Sequence, residues 1–75
     1  MENKVYYHDQ DITFIIVAKT EHTVRVIAER RGIDFQSAYE LFVRSRANKA
    51  LMSPESLLWT ESAEFIADMV DQEEI

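Results

Sequence analysis

Apolar positions recur along residues 9–31 at helical spacing. Ile12, Ile16, Val17, Val24, Ile27 and Ala28, together with Thr20, fall on one broad stripe. The pattern predicts a first helix that starts near Asp9 or Asp11, either of which can cap free amides. It runs to Arg31, where Gly32 supplies the positive backbone dihedral of a helix end. Phe14, Ile15 and Val26 lie outside the stripe, and this apolar excess on a small domain implies a second buried face contributed by a partner chain. The same stretch admits a strand reading: Ile12 to Val17 is rich in β-branched residues and, with Val5, Tyr6 and Tyr7, would make a hairpin across His8 to Asp11.

A second helix is predicted over residues 34–45, capped by Asp34 and carrying Phe35, Ala38, Leu41 and Phe42 at intervals of three and four. Only Gly32 and Ile33 separate it from helix one, so the two form an αα-hairpin. Residues 47–52 read as one further helical turn. Ser53 followed by Pro54 is a cap and a favoured first position, which starts a short turn over residues 54–58. The last helix covers residues 60–73, with Thr60 as cap and Glu61 and Glu64 in its first turn. Its buried side is Ala63, Ile66, Met69 and Val70, with Phe65 and Trp59 adding aromatic bulk, and its end from Asp71 to Ile75 is expected to fray. The expected fold is therefore all-α, a small orthogonal bundle of three to four helices built on an αα-hairpin, with a short N-terminal arm over residues 1–8.

Composition narrows the chemistry. Seventy-five residues make one domain, and 47% apolar with 29% charged residues reads as folded protein. A single Gly excludes Walker-type and dinucleotide-binding loops, and the absence of Cys excludes disulfides, thiolate zinc sites and thiol nucleophiles. A domain this small, without disulfide or metal, draws extra stability from idealised helix packing or self-association, so a homodimer is expected. The apolar run from Ile12 to Ala18 falls far short of the roughly 20 residues that span a bilayer. The N-terminal residues show no secretory pattern, which makes a cytoplasmic address the expectation.

Charge is segregated. The net charge is −6, yet the middle of the chain from Lys19 to Ala50 is basic, and from Leu51 onward seven acids stand against no base. Arg25, Arg30, Arg31, Arg44 and Arg46 are the candidate contact cations, since guanidinium groups pair with carboxylates in two-pronged fashion and stack on rings. Their complement in the same sequence is Glu61, Glu64, Asp68 and Asp71, so the chain closes either on itself or on a twin; a solvated acidic helix is the plainer alternative.

The remaining motifs are weak. Ala28 four residues before Gly32, followed by Ile33, is a spacing used in helix-turn-helix proteins. On that reading Gln36, Ser37, Glu40 and Arg44 face a major groove, with Arg30, Arg31, Arg46 and Lys49 on phosphates. The short turn, Phe35 and the overall negative charge argue against it. His8, Asp9 and Asp11 crowd near one another, as do Glu21 and His22, but neither group has metal-ligand spacing, so no metal or other cofactor is expected. The Ser and Thr residues lack a nucleophile-elbow context and a domain this small leaves little volume for a catalytic cleft, so no enzymatic activity is expected. Trp59, Tyr39, Phe42, Phe65 and Tyr6 read as core before they read as a groove.

The order of an apolar helix, Gly32-Ile33-Asp34, Ala38-Tyr39-Glu40-Leu41-Phe42, a short apolar turn and an acidic closing helix with Glu61-Ser62-Ala63-Glu64-Phe65-Ile66 resembles a domain-of-unknown-function family of short bacterial proteins. The resemblance spans about residues 12–70. It implies a small helical protein with an accessory or antitoxin-like binding role, some members being encoded beside toxin-like genes, and it carries over no catalytic residue. The Tyr-containing arm and the basic segment from Arg44 to Lys49 depart from the family pattern. The expected function is a non-enzymatic helical protein–protein interaction module that homodimerises and binds another protein through Phe14, Ile15, Val26, Arg30, Arg31, Tyr39, Arg44 and Arg46; a DNA-binding regulator is the alternative.

Overall fold

The computed structural model describes residues 4–73 of the chain. His8 and Asp9 both adopt positive φ (50° and 67°), the backbone of a two-residue hairpin turn. That turn pairs strand β1 (Tyr6–Tyr7) with β2 (Gln10–Asp11), Tyr6 opposite Asp11 and Tyr7 opposite Gln10. The hairpin is tied to the first helix. The Val5 amide donates to Thr13 Oγ1 at 2.7 Å, and the Ile12 amide donates to the Val5 carbonyl at 2.8 Å.

Helix α1 accordingly spans Thr13–Arg31 and does not begin at Asp9 or Asp11. The turn consumes His8 and Asp9, and Asp11 instead accepts the Thr13 amide at 3.0 Å. The expected arm over 1–8 is a hairpin where it is described, and its first three residues lie outside the described residues. The strand reading holds for these two-residue strands and the Ile12 amide bonded to Val5, because Thr13 to Val17 form the first turns of the helix instead of pairing.

Gly32 ends α1 at φ 65°, as the sequence requires, and the next amide, of Ile33, returns to the Ala28 carbonyl at 3.1 Å. A side chain at Gly32 would meet nothing within 4 Å, so the dihedral and not crowding selects glycine there. Helix α2 (Phe35–Val43) is capped by Asp34, whose Oδ1 accepts the Ser37 amide at 2.8 Å. It stops at Val43, short of the expected residue 45, and the further turn expected over residues 47–52 is a helix of its own that starts one residue earlier. Ser45 Oγ accepts the Asn48 amide and opens helix α3 (Arg46–Leu51).

Two 3-10 turns, Pro54–Ser56 and Leu58–Thr60, stand where one turn over 54–58 was expected, and Leu57 joins them at φ 60°. Thr60 belongs to the second turn, its hydroxyl donating to the Leu57 carbonyl at 2.6 Å, and so does not cap the last helix. Helix α4 (Ala63–Glu73) opens on Ser62, whose Oγ accepts the Phe65 amide at 3.0 Å. Asp71 to Glu73, expected to fray, complete this helix because Asp71 is held by Arg30 and Arg31 and Glu73 by two backbone amides, and residues 74 and 75 lie outside the described residues.

The architecture is all-α, with α1 packed against both α2 and α4 and α3 packed on α4. Val24 and Ile27 of α1, Phe42 of α2, Leu51 of α3 and Ile66 and Val70 of α4 meet in a core that excludes water almost completely. The acidic last helix closes on the basic middle of its own chain. Arg30 Nη1 lies 2.8 Å from Asp68 and 3.1 Å from Asp71, and Arg31 Nη2 lies 2.8 Å from Asp71. Both carboxylate oxygens of Glu73 accept amides at the start of α3, those of Arg46 and Ala47, at 2.8 Å each.

Candidate interaction groove

Ala38 and Phe42 fix which side of α2 faces the core. Helical geometry then leaves Phe35, Tyr39 and Val43, each four residues from the next, on the flank beside α1. These three side chains, Val17 and Thr20 of α1, and Met52 at the end of α3 line an open hollow of about 410 Å³. Buried Ile16 is also part of its lining. The Phe35 and Tyr39 rings lie parallel, 10° apart with centroids 6.5 Å apart, as one aromatic wall. The Arg25 guanidinium stands 6.0 Å from the Phe35 ring centroid and is held by Glu21 at 2.7 Å.

The hollow offers apolar contact and little chemistry. The Thr20 hydroxyl donates to the Ile16 carbonyl at 2.9 Å, and Glu21 is held by Arg25. Phe14 stands beside it, 87% exposed, and shares a second hollow with Val17, Thr13, Lys4 and Asp11. Lys4 Nζ lies 3.9 Å from Asp11 Oδ2. Hydrogen bonding from Thr13, side chain first and amide second, holds the Asp11 carboxyl below its ordinary pKa. Ser37 does the same for Asp34, in the same order.

The side chains expected to bind a partner divide into three groups. Phe14 and Tyr39 border the groove. Arg30 and Arg31 pair with Asp68 and Asp71 of the same chain. Ile15, Val26, Arg44 and Arg46 lie away from the groove. Ile15 is exposed on the flank of α1 opposite Val17, and Val26 packs half-buried on the chain's own core, so it is not part of an unfilled face. Arg44 and Arg46 sit near Glu73, where α3 meets α4.

Val17 and Phe35, expected to be core, are 57% and 44% exposed. Thr23, a polar residue that shares the face of Ile16 and Ile27 and was not counted in the stripe, is buried on α1, its hydroxyl donating to the Lys19 carbonyl at 2.7 Å. Val43 and Met52 were missed altogether. The recurrence of Phe35, Tyr39 and Val43 every four residues was the signal that could have found the groove's α2 wall.

Of the five aromatic residues considered for a groove, Phe42 is fully buried. Trp59 is half-buried, its Nε1 donating to the Pro54 carbonyl at 2.9 Å and its ring edge-on to Tyr7. Among the described residues, no three His, Cys, Asp or Glu side chains gather as a metal-holding group, and no helix is long and apolar enough to cross a membrane. Compared with known proteins, the chain matches no family model, and neither a curated protein nor a solved structure matches it.

Proposed function

We propose that this protein is a non-enzymatic helical interaction module whose working surface is the α1–α2–α3 groove and that acts by docking an apolar protein surface there. One observation carries the reading. Phe14, Val17, Phe35, Tyr39, Val43 and Met52 are all exposed and adjoin one another through Val17, which lines both hollows. With aromatic side chains of 150–250 Å² each, their combined exposed area is roughly 600 Å², the upper end of what the largest patch on a monomer presents. Burying such a patch is the main driving force of association.

The accessory role implied by the resemblance of residues 12–70 is a setting in which this surface serves. A DNA-binding role has less support, because Arg30 and Arg31 are already paired within the chain and Gln36, on the intended reading face, donates to Glu40. The test is a photo-crosslinking amino acid placed at Tyr39 and, as a control, at exposed Glu64 of α4, in cells that make the protein. Protein adducts at position 39 and none at 64 are expected. No adduct at either, or equal capture at both, would overturn the reading.

A further inference from the structure

We infer that the occupant of the groove is Phe14 of a second copy of this chain, the two copies docking reciprocally about a twofold axis beside Ala18 of α1; the inference rests on the groove being a docking surface. Phe14, exposed Ala18, Glu21 and Arg25 form one straight ridge on α1. The groove opens along the flank of that ridge and takes its α1 wall from Val17, Thr20 and Glu21. Phe14 and Glu21 are therefore about 10 Å apart along the helix, at 1.5 Å per residue.

If α1 lies antiparallel to its twin with the axis midway, Phe14 of each copy arrives beside Glu21 of the other, at the mouth of the partner's groove. The knob and the hole belong to the same surface and are spaced for exchange, which is the self-complementarity a twofold interface demands. Ala18 at the crossing lets the two backbones approach closely.

The charges at the rim agree. The register brings Asp11 of one copy toward Arg25 of the other, a meeting of opposite signs. The area agrees as well. A stable interface covers about 800 Å² per partner, roughly one-sixth of the 5083 Å² this chain exposes. The exposed apolar patch supplies roughly 600 Å² of that, and the charged rim adjoins it. Without a partner, Phe14 leaves nearly its whole ring in water on a domain too small to waste apolar surface.

The experiment combines sedimentation of the purified full chain, from micromolar to millimolar concentration, with cross-linking from a photoreactive residue at Tyr39. The wild-type chain is expected to dimerise, and the Tyr39 probe to join the peptide that carries Phe14. Phe14→Glu, at a site too exposed to affect folding, is expected to raise the dissociation constant at least thirty-fold with an unchanged circular dichroism spectrum, as loss of a central anchor does. Val43→Glu blocks the hole in place of the knob and is expected to do the same. Mixing the two variants is expected to give a heterodimer tighter than either variant's homodimer and weaker than the wild-type dimer, because one intact knob meets one intact groove while the other contact sets two carboxylates together.

A wild-type chain that stays monomeric at millimolar concentration overturns the inference, as does a dimer indifferent to Phe14→Glu or a cross-link to another part of the twin. An adduct from Tyr39 to a different protein in cells, with a monomeric purified chain, removes the second copy as occupant and leaves the docking surface standing. Absence of any adduct removes both.

Discussion

Helix α1 meets α4 on one side and the α2–α3 pair on another, and the two contacts are finished to different degrees. On the α4 side, Ile66, Ala67 and Val70 are fully enclosed, and the rim is closed by Arg30 and Arg31 on Asp68 and Asp71. On the α2–α3 side, Phe42 and Leu51 are equally enclosed, but the outer layer of Val17, Phe35, Tyr39, Val43 and Met52 stays open. A domain of this size folds on a thin margin, and the apolar side chains left unburied along this seam are the ones that the proposed docking would cover. Charge follows the same division, with the ion pairs that seal α4 having no counterpart bridging the groove among the described residues.

The comparison breaks most sharply at the closed seam. Ile66→Ala is expected to cost about 2–5 kcal/mol, by lost burial and the cavity it leaves, and urea unfolding followed at 222 nm measures it. Val17→Ala at the open seam is expected to cost the isolated subunit less than about 1 kcal/mol in the same measurement, since little is buried there to lose. Glu73→Ala removes acceptors from two amides of α3 and is expected to cost about 1–2 kcal/mol, in the range of helix-cap deletions.

Acid sharpens the contrast further. Asp11 and Asp34 are held below the ordinary value of 3.8 in the folded state. Each therefore stabilises the fold above its unfolded pKa, and that contribution fades as pH falls through the lowered folded value. Stability should be level with respect to these two groups down to about pH 4 and decline below it, with Asp34→Asn flattening part of the decline in an acid titration followed by circular dichroism. Arg25→Ala is the smallest change, expected to cost no more than about 0.5 kcal/mol, as exposed pairs four residues apart do.

Much of the architecture was legible in the residues because local signals and tertiary packing agree. Gly32 and Asp34 act as the helix stop and start that their types imply, and Ala63, Ile66 and Val70 face inward at their expected spacing. Where local signals compete, legibility fails. Thr60 and Ser62 are both credible caps, and the unusual backbone of Leu57, a residue with no preference for positive φ, decides between them. The hairpin across His8 to Asp11 was legible only as the alternative to a helix start at Asp9 or Asp11, because neither turn residue is glycine or asparagine.

The groove was the least legible feature. Apolar residues surround the first turns of α1, so periodicity alone cannot separate Ile16, which is buried, from Val17, which is not. That choice depends on where α2 and α3 come to rest, and on α2 it turned Phe35 outward while Ala38 and Phe42 went in.

Glu73 serves α3 from 26 and 27 positions further along the chain. During synthesis, α3 leaves the ribosome well before the carboxylate that satisfies its leading amides. Those two amides thus gain their acceptor only when α4 docks, and they are expected to become protected from hydrogen exchange together with α4.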